Sequence, residues 1–166
     1  MSVRIFPCNG CPVSELENQR FCGNAVVEDE ICFVPGIFPT DIASVVILEP
    51  DLNNFRVELV CCSVIVVCGM LTKQVTLTSG RVITEDIVFQ ANIPVEIDFP
   101  EEVDPAEWAV TGVEVCAGCF QLLCASPNGT FHTLREKDVV LIQVSSTEPM
   151  AAPTTAKIAK NAKATW

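Results

Sequence analysis

A chain of 166 residues, 49% of them apolar, can bury a core of its own, and a net charge of -11 repels nucleic acid and anionic lipid, so neither is expected as a partner. Its apolar set is led by Val and Ile, residues of pleated sheets rather than helices. Ten cysteines then pose the chemical question.

The first 24 residues hold Cys8, Cys11 and Cys22 among Pro, Asn and Gly, with a sustained period of neither 2 nor 3.6, and read as an extended arm. The start MSVRIFPCNGCP has no apolar run behind a basic end, so no secretory leader is expected. Strands are expected over residues 31–34 and 44–48, the second closed by Pro50. Residues 57–71 (VELVCCSVIVVCGML) are too short for a spanning helix, contain Glu58 and read as buried strand. Strands over 56–67, 71–78 and 82–89 follow, with Ser79-Gly80 as a hairpin turn. A strand over 93–99 leads into the Pro-broken acidic stretch FPEEVDPAEW, and a long strand covers 109–124. Asn128-Gly129 is the strongest hairpin signal, between that strand and those over 131–134 and 138–145.

This spacing predicts an all-β fold, an antiparallel β-sandwich (jelly-roll-like) over 25–146, with an extended N-terminal arm (1–24) and a flexible, Ala/Lys-rich C-terminal tail (147–166).

Catalysis finds little footing. The single histidine, His132, falls just past the Asn128-Gly129 turn and reads as a hairpin side chain. Nucleophile elbow, phosphate loop and zinc-protease motifs are missing, so no enzyme activity, catalytic residue or cofactor is expected. Glu96, Asp98, Glu101, Glu102, Asp104 and Glu107 crowd one segment without EF-hand spacing, which reads as a solvated acidic loop rather than a calcium site. Asn128-Gly129-Thr130 matches a glycosylation acceptor but reads as a turn.

The pairs Cys8/Cys11 and Cys116/Cys119 (CNGC and CAGC) have the ligand count of a thiolate zinc site, but about a hundred residues part them where zinc ribbons allow roughly 20. A thioredoxin-like pair would need a βαβ context, which this pattern does not offer. Strand parity sends Cys61 and Cys62 to opposite faces unless a bulge intervenes, and puts Cys62 with Cys68. It also groups Cys116 with Cys124, opposite Cys119, unless Gly118 hosts a bulge. Several thiols should therefore be exposed on the sandwich. An arm of about 20 residues extends up to roughly 3.3 Å per residue, enough to cross a neighbouring domain. Cys8, Cys11, Cys116 and Cys119 are accordingly the candidates for disulfides between copies, and Cys22, Cys32, Cys62, Cys68 and Cys124 for other disulfides. The expected partner is the chain itself, with no metal site among its residues.

The segments VVCGMLTKQVTLTSGRVITEDIVFQANIPVEIDF, VTGVEVCAGCFQLL and LREKDVVLIQV, within residues 57–145, resemble the SPOCS domain of spore-associated proteins from endospore-forming bacteria. The resemblance implies a coat or exosporium setting at the spore surface, with synthesis in the mother-cell cytoplasm and oxidation once that cell lyses. It brings no active-site residues. In layout, a cysteine-bearing arm before a sandwich is similar to endospore appendage subunits, which dock arms onto neighbours and lock them with disulfides. The expected function is a self-assembling structural subunit of a disulfide-cross-linked spore-surface fibre or coat/exosporium layer, other spore-coat proteins being further partners. The alternative is a coat-protein binding or scaffold module stabilised by zinc through the CxxC pairs.

Overall fold

Alternating β-branched and polar residues keep the chain extended, and in the computed structural model they form seven strands. The structure describes residues 2–5, 20–99 and 103–147, of which 2–5 and 96–98 through the backbone alone. The strands are β1 (Ser2–Ile5), β2 (Arg20–Ile37), β3 (Ile42–Ile47), β4 (Phe55–Leu77), β5 (Val82–Phe99), β6 (Trp108–Ala125) and β7 (Phe131–Ser146). They build two antiparallel sheets, ordered β1-β6-β7-β2 and β3-β4-β5, so the expected all-β sandwich is present. Short 3-10 turns lie between strands, and Asp51 and Asp104 cap two of them by accepting the N–H groups of Asn53 and Ala106, each at 2.9 Å. The expected flexible tail lies outside the described residues from Glu148 onward, as do Cys8 and Cys11.

The strands run further than the sequence pattern suggests, and packing explains each extension. β2 starts at Arg20, inside the segment expected to be arm, and Cys22 is paired there with Gln143 of β7. Gly23 blurs the alternation because Ile93 of the opposite sheet packs over it; a Cβ at Gly23 would lie 3.2 Å from the Ile93 Cγ1. The expected strands 82–89 and 93–99 are one element, β5, whose Pro94 sits on an edge strand where no ladder donor is missed. Residues 131–134 and 138–145 are likewise one strand, β7.

Residues 56–67 and 71–78 also merge, in β4. Gly69 does not end this strand because the Phe55 ring occupies the space a side chain would take. On a straight strand residues 55 and 69 would be about 46 Å apart at roughly 3.3 Å per residue. The chain therefore doubles back between them, and Cys62, midway, has a left-handed φ of 52°.

The core comprises two apolar clusters. One gathers Phe21, Val27, Leu71, Ile93, Trp108 and Val140; the other Ile31, Phe33, Val75, Leu77 and Leu134. Phe21, Phe99 and Trp108 close the end of the first, the Trp108 ring 5.8 Å from Phe21 and 5.5 Å from Phe99. Between the clusters runs a charged layer. Lys73 falls between Leu71 and Val75, Asp29 between Val27 and Ile31, and Glu136 beside Leu134, all on inward-facing positions.

Candidate functional site

β6 would be an exposed sheet edge without β1, since its other neighbour is β7. An unpaired edge is a template for another strand. Here β1 covers it antiparallel, with Ser2 opposite Phe120, Val3 opposite Cys119, Arg4 opposite Gly118 and Ile5 opposite Ala117. The next residue of β6 toward its start, Cys116, is the extra residue of a bulge between Val115 and Ala117. Gly118 is paired regularly on both sides, so the bulge lies two residues before the glycine expected to host it. Two of the four candidate inter-copy cysteines, Cys116 and Cys119, thus stand beside β1 on one short stretch of edge. The other two, Cys8 and Cys11, follow β1 in sequence and are not described.

None of the eight described cysteines is buried. Cys32 and Cys124 are exposed free thiols, Cys61, Cys68 and Cys119 are partly exposed free thiols, and Cys22 and Cys116 are disulfide-bonded. Burial as small hydrophobes, the ordinary use of cysteine on apolar strands, does not occur among them. The parity that sends Cys61 and Cys62 to opposite faces fails at the reversal of β4, where their sulfurs converge to 3.2 Å.

Beside Cys119 on the outer face of this sheet lies a row of ion pairs. Lys137, opposite Cys119, reaches Glu28 at 3.0 Å, and Arg135 reaches Glu30 at 2.6 Å and Glu28 at 3.5 Å. Glu30's hydrogen bond and charge hold the Arg135 guanidinium still more firmly protonated.

His132 is held rather than solvent-facing. Its Nε2 lies 2.9 Å from Ser126 Oγ and its Nδ1 3.2 Å from the Phe33 carbonyl, which ties the β6–β7 hairpin to β2. Asn128 Oδ1 accepts from the Thr130 amide and hydroxyl, closing the expected turn. Of the acidic segment, Asp104 caps a 3-10 turn and the Glu107 carbonyl accepts from Thr147. Among the described residues no group of three or more His, Cys, Asp or Glu is arranged to hold a metal ion. Sequence reasoning missed β1 as a strand, because four residues are too few to establish a period.

No protein-family model, curated protein or solved structure matches the chain.

Proposed function

We propose that the chain is a self-assembling structural subunit that donates its N-terminal strand to the β6 edge of another copy and is fastened there by disulfides, forming a spore-surface fibre or layer. The observation that carries this reading is the pairing of β1 with β6. A four-residue strand on a long tether closes the edge, and its backbone hydrogen bonds are the same whichever copy supplies it. Residues 6–19, stretched at about 3.3 Å each, span up to about 46 Å, a reach that suits a neighbour as well as the chain's own edge.

The placement of the thiols supports the same reading. Cys119 is paired with Val3 of the docked strand, Cys116 lies one residue beyond its end, and the other described cysteines also stand outside the core. Disulfides there would make an assembly resist dissociation kinetically. The resemblance to SPOCS and endospore appendage proteins supplies the spore-surface setting.

Electrophoresis and electron microscopy of the oxidised chain test the proposal. A ladder that collapses under reductant, with filaments or sheets in the micrographs, is expected. Monomer with and without reductant would overturn it.

A further inference from the structure

Four strands bring ionisable side chains together in the space between the sheets. Lys73 on β4 points inward, its Nζ 2.7 Å from Asp29 Oδ2 on β2 and 3.8 Å from Glu136 Oε2 on β7. The side chains of Lys73 and Glu136 are 0% exposed. Asp29 and Glu136 are cross-strand partners, so the lysine meets two carboxyls side by side on the opposite sheet. Glu85 of β5, paired in register with Lys73, lies near enough to Asp29 for their charges to act on each other, and Asp138 lies buried farther along β7.

In water an ammonium and a carboxylate do not condense, because both are charged and water is in excess. Here both conditions change. Burial favours passing a proton from amine to carboxyl, since two neutral groups cost less than two charges in a dry interior. The reacting groups are already in contact, which replaces a bimolecular encounter by a positioned one. The Glu136 carboxyl lies 3.8 Å from Nζ, a small side-chain shift from the distance at which it can take and return the proton. One ammonium also cannot neutralise Asp29, Glu85 and Glu136 together. Desolvation, and then the charge of Asp29, hold the Glu85 carboxyl above its ordinary range.

We propose that Lys73 and Asp29 condense into an amide, an isopeptide cross-link joining the two sheets, with Glu136 as the acid–base group. Lys73 gives a proton to Glu136, and the neutral amine attacks the Asp29 carboxyl carbon. The attacking nitrogen gives its second proton to one oxygen of the tetrahedral intermediate, Glu136 returns the first proton to that same oxygen, the carbon–oxygen bond breaks, and one water leaves. Ammonium and carboxylate become amide and water, with nothing oxidised and no co-reactant required. The bond ties β4 to β2 across the core. It involves no residue of the arm or the β6 edge, so it stands or falls independently of the assembly proposal.

Mass spectrometry of the full chain, fully reduced and alkylated, tests this. The expected chain is lighter than its sequence by one water, and its digest contains a branched peptide joining the segments of Asp29 and Lys73. Glu136→Gln should restore the full mass while circular dichroism still reports a folded sheet. Asp29→Asn offers an amide in place of the acid and should lose ammonia instead of water, a change that a merely structural ion pair would not produce. A wild-type chain of full sequence mass, with Asp29 and Lys73 in separate linear peptides, overturns the proposal whatever the variants do.

Discussion

Lys73 and Asp29 meet at 2.7 Å across the sandwich, the lysine fully buried between two apolar clusters. A buried ion pair adds little net stability over an apolar pair of the same shape, but removing one member leaves the other stranded. Lys73→Met removes the cation, and with it the proposed amide, and should therefore lower the unfolding free energy by at least roughly 3–5 kcal/mol in urea titrations. Adding Glu136→Leu should recover part of that loss, because fewer carboxyls then remain buried without a cation. An unchanged midpoint in the single variant would contradict the packing described.

Glu85 gives the fold a pH signature. Desolvation and the nearby Asp29 raise its carboxyl above the ordinary 4.5, with Lys73 opposing. The folded chain thus holds this proton more tightly than the unfolded one. The associated stability is complete below 4.5 and is lost as pH rises through the folded-state value. Thermal midpoints of wild type and Glu85→Gln should agree at acid pH and diverge toward neutrality, the Gln chain becoming the more stable. Parallel curves would refute this.

Gly69 makes room for Phe55. Gly69→Ala places a methyl against the Phe55 ring and should destabilise by about 1–3 kcal/mol through forced repacking. Combining it with Phe55→Leu should cost less than the sum of the two single changes, which a double-mutant cycle measures.

At the reversal of β4, Cys62 has a φ of 52°, a region that penalises a Cβ. Cys62→Val should cost roughly 1–2 kcal/mol, and Cys62→Gly should relieve the backbone. Equal stability of the two variants, measured by denaturant midpoint, would mean that the left-handed conformation is not required there.

Turns were the most legible part of the sequence. Ser79-Gly80 and Asn128-Gly129 signal themselves locally, and Gly80 and Gly129 take φ of 87° and 85°. Gly23, Gly69 and Pro94 look like breaks for an equally local reason, yet each is absorbed by something distant in sequence: Ile93, the Phe55 ring and an open sheet edge. The parity expected of Cys61 and Cys62 failed at the reversal of β4, where their sulfurs converge. Asp29, Lys73 and Glu136 were readable in principle. Each occupies an inward position of a period-2 run, between Val27 and Ile31, between Leu71 and Val75, and after Leu134. What alternation could not supply is that three such residues from different strands converge. Of the candidate assembly cysteines, the spacing of Cys116 and Cys119 was plain, whereas their position beside β1 depended on a bulge at Cys116.

Assembly by strand donation requires the N-terminal segment to pass between copies. Isotope-labelled and unlabelled full-length chains, mixed before oxidation and digested without reductant, report this directly by mass spectrometry. The prediction is disulfide-linked peptides of mixed label that join Cys8 or Cys11 to a cysteine of the sandwich, with Cys116 and Cys119 the first candidates. Disulfides found only between peptides of the same label would place the arm on its own chain and contradict assembly by strand donation.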